Sequence, residues 1–165
     1  MVVEHLASLG HRRVARVAGP ADLWHTELRT RAMSGAATEC ELAEVTVRNT
    51  DYSGTQGADA TKKLLAREHA PTAIVYDNDV MALAGLTAAR EAGMDIPAEL
   101  SVVAWDDSML CQLVHPQLSA VSRDIAMYGS HAAEQLLGVV AGDTVNSFQD
   151  ATPQLVTRGS TAFAP

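Results

Sequence analysis

Carboxylate and amide side chains follow two apolar segments at the point where each is expected to end as a strand. The segment 100–105 is apolar and runs directly into Asp106 and Asp107. The β-branched segment 72–76 runs in the same way into an Asp-Asn-Asp sequence at 77–79. Open α/β sheets bind ligands at the carboxyl ends of their strands. These groups therefore predict a pocket that accepts hydrogen bonds from a polar, hydroxyl-rich ligand.

Strands and helices are expected to alternate along the chain. The hydrophobic patterns predict five strands, at 13–18, 43–47, 72–76, 100–105 and 154–157, and a short extended piece at 118–122. They predict five helices, at 2–9, 25–39, 55–67, 80–92 and 125–140, and a loop at 109–116. This order is typical of an α/β fold with three layers, in which a parallel sheet carries helices on both faces. The helix at 25–39 is expected to bury the stripe Leu28, Ala32, Met33 and Ala36.

Polar residues follow each of the first four predicted strands. They lie at 22–25, 49–53, 77–79 and 106–108. Because parallel strands end at the same edge of their sheet, these four clusters are expected to meet along one rim. This convergence is the main physical argument for a binding site.

The composition limits what the chain can bind. It has 165 residues, 47% of them hydrophobic, and a formal net charge of −8, which suits one domain with a core and argues against gripping a phosphate backbone. Cys40 and Cys111 are far apart without metal-ligand spacing, so we expect two reduced thiols and no metal. We find no signal peptide and no apolar run near the roughly twenty residues of a membrane span, and expect a cytoplasmic protein without membrane contact.

Several stretches together resemble the effector-binding core of the LacI/GalR family of bacterial transcription regulators. They are EHLASLGHRRVARVAGP at 4–20, LRTRAM at 28–33, DYSGTQGADATKKLL at 51–65, PTAIVYDNDVMALAGL at 71–86, GMDIPAELSVVAWDDSMLCQLVHPQLSAVSRD at 93–124 and LVTRGST at 155–161. The order and spacing of these stretches cover nearly the whole chain.

The resemblance implies a periplasmic-binding-protein-like fold, with one lobe and an isolated piece of the other. Residues 1–122 would form the second, C-terminal lobe, 123–150 would cross to the missing first lobe, and 151–165 would return as a strand and tail. The chain would lack the family's DNA-binding domain and contact DNA only through it. The implied function is a truncated effector-binding and dimerisation core that binds a small polar ligand, in particular a sugar, in a cleft between lobes. The helix at 80–92 and the loop at 109–116 would pair two subunits in a homodimer.

Five residues match ligand-binding positions of the family. Asp106 would accept hydrogen bonds from two hydroxyls of a sugar, and Arg29 would bind ligand oxygens with its guanidinium fork. The ring of Tyr52 would pack against the ligand ring. Asn78 would contact the ligand, and His25 would line the pocket.

Four of these residues, all but Asn78, also have a structural alternative. Asp106 could cap a short helix that begins near Ser108, although Asp107 is the better candidate for that cap. Asp79 is expected to cap the helix that follows it. The arginine, the tyrosine and the histidine could be solvated surface residues.

Two other functions fit parts of the pattern. A sugar-binding protein of a transporter would share the two-lobed architecture. The aspartates at 77, 79, 106 and 107 could instead hold Mg²⁺ for phosphoryl chemistry. No glycine-rich phosphate loop and no nucleophile–base pair accompanies them, so we expect no enzyme and no cofactor.

Overall fold

The structure is a computed structural model that describes residues 1–144, 149 and 151–165. Its helices are α1 (Val2–Ser8), α2 (Trp24–Glu39), α3 (Gly54–Leu65), α4 (Asp79–Glu91), α5 (Met109–Leu113) and α6 (Ile125–Ala141). Its strands are β1 (Arg13–Ala18), β2 (Glu44–Asn49), β3 (Ala73–Tyr76), β4 (Ser101–Trp105), β5 (Ser119–Ser122) and β6 (Gln154–Val156). The predicted alternation of strands and helices is confirmed.

The strands form one sheet with the order β2-β1-β3-β4-β5-β6. Neighbouring strands from β2 to β5 run parallel, and β6 runs antiparallel to β5, with Leu155 opposite Val121. The predicted α/β architecture is confirmed as a mostly parallel sheet. The strand order reverses beside β1, which places the carboxyl ends of β1 and β3 next to each other at the kind of position where such sheets bind ligands.

Helices cover both faces of the sheet, and each strand contributes alternate side chains to two cores. In β3, Ile74 and Tyr76 point into the core beneath α3 and α4, whereas Ala73 and Val75 point into the core beneath α1 and α2. All four residues are buried. Burial on both faces explains why the strand is apolar at every position and does not alternate with polar residues.

The packing of α4 on the sheet requires a glycine at position 85. A methyl group on Gly85 would lie 2.1 Å from the hydroxyl oxygen of Tyr76. That hydroxyl is buried and forms a 2.7 Å hydrogen bond with the hydroxyl of Thr61 on α3, and burial raises the pKa of Tyr76. The tyrosine thus ties the sheet to α3, and the missing side chain of Gly85 makes room for its ring.

A buried histidine fastens the C-terminal tail to the sheet. The Nδ1 atom of His11 lies 2.8 Å from the Thr72 hydroxyl, and Nε2 lies 3.0 Å from the Ser101 hydroxyl and 3.1 Å from the carbonyl of Ala162. Desolvation lowers the pKa of His11, although the hydrogen bond with the Ala162 carbonyl opposes the shift. A neutral imidazole in this position therefore joins the starts of two strands to the end of the chain.

Two local predictions were wrong. The loop predicted at 109–116 begins with the helix α5, because the Ser108 hydroxyl caps it by accepting a 3.1 Å hydrogen bond from the amide of Leu110. On α2, Leu28 and Ala32 of the predicted stripe are exposed, whereas Met33 is buried. The helix turns a different side to the sheet because polar contacts of Thr26 and Thr30 with β1 set its rotation.

Helix α6 leaves its apolar side chains uncovered. None of its residues is buried, and large side chains such as Leu137 and Val140 are 68% and 78% exposed. The assignment of 123–150 to the missing first lobe stays a prediction, and residues 145–148 and 150 lie outside the described part of the chain. Among the described residues, no helix is both long enough and apolar enough to span a membrane.

We expect Gly85→Ala to lower the free energy of unfolding by about 1–3 kcal/mol, because the added methyl group overlaps the Tyr76 hydroxyl in a packed core. Urea denaturation measures the change. The matched control is Gly35→Ala on α2, where the methyl group would meet no atom within 4 Å and should stabilise the helix by up to about 1 kcal/mol. Equal stability of the two variants would contradict the packing described for α4.

Candidate functional site

The five residues predicted to bind ligand all lie at or beside the carboxyl edge of the sheet. His25 and Arg29 are on the first two turns of α2, which follows β1. Tyr52 follows β2, Asn78 follows β3, and Asp106 follows β4. Their contacts divide them into an aromatic row, an arginine stacked on a tryptophan, and an aspartate paired with a second arginine.

Tyr52 contacts two of the other predicted residues, His25 and Asn78, and the three form what we call the aromatic row. Its hydroxyl lies 2.6 Å from Nε2 of His25 in a hydrogen bond, and the two rings stack with centroids 6.2 Å apart. Its carbonyl accepts a 3.1 Å hydrogen bond from the side-chain amide of Asn78. The row spans the ends of β1, β2 and β3, so the structure brings these residues together.

Close backbone approach holds the Tyr52 ring in place. Tyr52 has a left-handed backbone conformation with φ of +69°, which turns its side chain over the end of β1. There it meets Gly19, and a methyl group at that glycine would lie 2.0 Å from the ring carbon Cζ. The glycine is therefore needed for the ring to reach its position above the strand end.

The guanidinium of Arg29 lies over an aromatic ring at the end of β4. Its guanidinium carbon is 4.4 Å from the centroid of the Trp105 ring, the geometry of a cation–π contact. One of its nitrogens, Nη1, lies 3.9 Å from Oδ2 of Asp77. The side chain of Arg29 is 23% exposed, so part of the guanidinium can reach a ligand.

A cleft opens beside Arg29 on the face of the sheet covered by α1 and α2. It has a volume of about 180 Å³. Trp105 and Val75 from the sheet line it together with Met33 of α2, and Asp77 and Arg29 contribute its polar end. This combination offers an apolar wall next to a charged group that can donate several hydrogen bonds.

Asp106 is partly exposed and pairs with Arg123 across the end of β5. Its side chain is 38% exposed and that of Arg123 is 43% exposed. Asp106 also has a left-handed backbone, with φ of +77°. An aspartate in this exposed position keeps carboxylate oxygen available to a ligand while its charge is balanced by the arginine.

The structure assigns the helix caps differently from the sequence. Asn78, and not Asp79, is the N-cap of α4, where its Oδ1 accepts a 2.7 Å hydrogen bond from the amide of Met81. Asp79 accepts a hydrogen bond from the Ser108 hydroxyl. Asn78 uses Oδ1 for the cap and one of its two amide N–H groups for Tyr52, so its second N–H group is the one that a ligand would engage.

Asp107, which the sequence favoured as a cap for α5, is instead one half of an ion pair. Both its oxygens accept 2.8 Å hydrogen bonds from the guanidinium of Arg158, which also donates to the carbonyl of Leu118. The hydrogen bond to Asp107 raises the pKa of Arg158. Asp107 therefore ties the returning tail to the ends of β4 and β5 and does not face the site as Asp106 does.

The sequence analysis missed Arg16, which lies inside the apolar strand β1. Its side chain is 3% exposed and donates 2.7 Å hydrogen bonds to both oxygens of Asp77. A signal was present, because an arginine within a strand that is buried on both faces needs a carboxylate partner. The sequence does not say which of the neighbouring aspartates supplies it.

Four carboxylates at the ends of β3 and β4 have charged or polar partners. Asp77, Asp106 and Asp107 each pair with an arginine, and Asp79 accepts from a serine. Within the described part of the chain, His, Cys, Asp and Glu side chains form no group of three or more that could hold a metal ion. Four arginines lie near these four aspartates, so the cluster offers both hydrogen-bond donors and acceptors, a composition that suits an uncharged polar ligand.

Known proteins share this architecture. Residues 3–161 match the family described as periplasmic binding protein-like domain. The chain belongs to the LacI family within that group. It is similar to a LacI family transcriptional regulator from Bifidobacterium animalis subsp. lactis, with 42% identity and a TM-score of 0.96 over 99% of this chain and 60% of the other. An uncharacterised HTH-type transcriptional regulator of Streptomyces limosus is 38% identical over 98% of this chain and 47% of its own length.

A further match is the lac repressor dimer bound to operator and the anti-inducer ONPF, at 31% identity and a TM-score of 0.90 over 98% of this chain and 56% of the other. The chain spans about half the length of the curated relatives it matches. It is a partial effector-binding core of a LacI-type transcription regulator. The homologues are transcription regulators, which are not enzymes.

We expect adjacent aspartates at the end of β4 to differ in their effect on stability. Asp107→Asn should lower the free energy of unfolding by about 1–3 kcal/mol, because it removes a charge partner from Arg158 where both side chains are largely buried. The matched change Asp106→Asn breaks an exposed ion pair and should cost at most about 1 kcal/mol. Denaturation in urea measures both, and a larger loss for Asp106→Asn would contradict the assignment of Asp107 as the structural member.

Proposed function

We propose that this chain supplies one lobe of the effector site, and part of the dimer surface, of a LacI-type regulator that senses a neutral sugar or a similar hydroxyl-rich molecule. The observation that carries the proposal is the gathering of Arg29, Tyr52 and Asp106 at the carboxyl edge of one sheet. A partly exposed aromatic ring, an arginine fork and a carboxylate are complementary to the faces and hydroxyls of a sugar. The remaining residues of the aromatic row, His25 and Asn78, would orient the ring and line the pocket.

The second wall of the pocket would come from another lobe. The uncovered apolar side chains of α6 support this, because a helix with no buried residue has not found its packing partner within the described chain. Residues 123–150 would belong to that lobe. A ligand held between the lobes would favour their closure, and closure would change how well paired DNA-binding domains fit their operator.

Arg123 connects the proposed ligand site with the segment that would cross between the lobes. It pairs with Asp106 and lies directly before α6, at the start of the segment that would cross between lobes. Ligand hydroxyls that bind Asp106 would compete with this ion pair. Ligand binding would thus weaken the ion pair of Arg123 and so affect the segment that connects the lobes.

DNA contact would be made by a domain that this chain does not supply. The net charge of −8 opposes binding of a phosphate backbone by the chain itself. In such a regulator the chain would work in the cytoplasm, where the operator is. It would need no cofactor and no metal for a binding function of this kind.

In the complete regulator, we expect Asp106→Asn to abolish the effector response while operator binding stays intact. The variant should bind the effector at least roughly tenfold more weakly, because hydrogen bonds to a charged acceptor are lost. The measurement is operator release in a panel of neutral mono- and disaccharides that includes lactose and maltose. Glu68→Gln, an exposed change after α3 at the amino edge of the sheet, is the control. An unchanged response of the Asp106 variant would remove this residue from the site.

The proposed dimer surface lies on α4 and α5. Their outer faces expose Val80, Met109 and Leu113, the last two at 72% and 73%. Large apolar side chains that cluster on short neighbouring helices are typical of a protein interface. The lac repressor that this chain resembles is itself described as a dimer.

We expect the double change Met109→Glu and Leu113→Glu to convert the complete regulator into a monomer at micromolar concentration, because four buried charges would face each other across a symmetric interface. Sedimentation velocity measures the mass. Leu28→Glu, which adds the same charge at an exposed leucine of α2, should leave the dimer intact. A dimer that survives the double change would place the interface elsewhere.

A further inference from the structure

Two opposite charges are buried together beneath the proposed site. Arg16 lies in β1 and Asp77 directly follows β3, and their side chains are 3% and 1% exposed. Nε and Nη2 of the arginine each donate a 2.7 Å hydrogen bond to a different carboxylate oxygen. This fork geometry holds both groups in one orientation.

Arg16 also fixes the rotation of α2. Its Nη1 donates a 2.8 Å hydrogen bond to the hydroxyl of Thr30, and both Nη atoms lie 3.4 Å from the carbonyl of Thr26. Thr26 and Thr30 are one turn apart and therefore lie on the same side of the helix. With that side turned to β1, Arg29 is directed toward the end of β4.

Asp77 stands between two arginines. Its Oδ2 accepts from Nη2 of Arg16 at 2.7 Å and from the amide of Gly19 at 3.1 Å, and it lies 3.9 Å from Nη1 of Arg29. Arg29 is at the same time stacked on Trp105. A carboxylate on one side and an aromatic face below leave this guanidinium little freedom to turn.

We propose that Asp77, held by Arg16, is a positioning residue that keeps Arg29 stacked on Trp105 and so sets the affinity for the ligand. The ligand part of this inference rests on the proposed function. A long arginine side chain loses rotamer freedom when it binds, and a side chain that is already restrained loses less. The restraint on Arg29 therefore raises the affinity for a ligand that binds Arg29. Asp77 contributes to this affinity through Arg29.

A contribution to stability alone does not explain the buried ion pair of Arg16 and Asp77 well. Two charges that are both removed from water gain little net stability over two apolar side chains of similar size, although the removal of one partner is strongly destabilising. A purely structural pair could thus be replaced as a pair without loss of function. A positioning pair could not, since Arg29 would lose the carboxylate beside it.

The first experiment follows Trp105 and needs no ligand. The chain has two tryptophans, so Trp24→Phe leaves Trp105 as the single tryptophan, whose emission can be excited selectively over that of the tyrosines. In this background, Arg29→Met should shift the intensity or wavelength of the emission, because it removes the charge above the ring. Asp77→Asn should shift the emission in the same direction, since Arg29 is no longer held.

The control for this experiment is Glu44→Gln, which breaks a charged pair with Arg67 at the opposite end of β2. It should leave the emission of Trp105 unchanged. If Asp77→Asn leaves the emission as it is in the parent while Arg29→Met alters it, the positioning role is overturned.

The second experiment separates positioning from folding. Asp77→Asn alone leaves the charge of Arg16 buried without its partner and should be clearly destabilising. The double variant Arg16→Met with Asp77→Asn removes both charges and keeps an oxygen that can accept from Gly19, so its unfolding midpoint should return toward that of the parent. Its Trp105 emission should remain shifted, because Arg29 still lacks the carboxylate.

Among these variants, we expect the ligand affinity to change together with the Trp105 emission and not together with the unfolding midpoint. In the complete regulator, the double variant should bind the responding sugar of the panel roughly tenfold more weakly, the factor expected when a charged hydrogen-bonding group is no longer held in place. Recovery of both emission and affinity together with stability would overturn the proposal. If no sugar releases the operator, the proposed function fails, and the emission of the single variant Asp77→Asn, which keeps Arg16, still decides whether Asp77 positions Arg29.

Discussion

The burial of a parallel sheet on both faces is the constraint from which the rest of this structure follows. With α1 and α2 on one face and α3 and α4 on the other, the strands can present polar groups only where they end. The side chains that could meet a ligand are accordingly at the carboxyl edge. Arg16 is the exception, a charge inside a buried strand, and it is accommodated because Asp77 reaches it from the end of the neighbouring strand.

This buried pair links the core to the site. Because Arg16 binds the inner side of α2, the helix carries His25 and Arg29, four residues apart, on a side that faces the strand ends. His25 then meets Tyr52 above β1, and Arg29 meets Trp105 at the end of β4. One interaction in the interior thereby decides the position of two groups at the surface.

The exposed apolar side chains of α5 and α6 indicate where other protein would pack against this domain. Helix α6 has no buried residue, and α5 exposes Met109 and Leu113. A domain of this size would not be expected to leave so many large apolar side chains in water unless other protein covered them. In the proposed regulator, the other lobe would cover α6 and a second subunit would cover α5.

The sequence by itself determined the order of the elements, the two-faced core and the edge at which polar groups collect, because these depend on hydrophobic periodicity and on where each strand stops. Only the tertiary structure decided which polar group serves which purpose. Asn78 became the cap in place of Asp79, Asp107 became the partner of Arg158, and Leu28 turned outward. A cap, an ion pair and a ligand site use the same carboxylate and amide chemistry, so the choice among them depends on distances that exist only once the strands lie side by side.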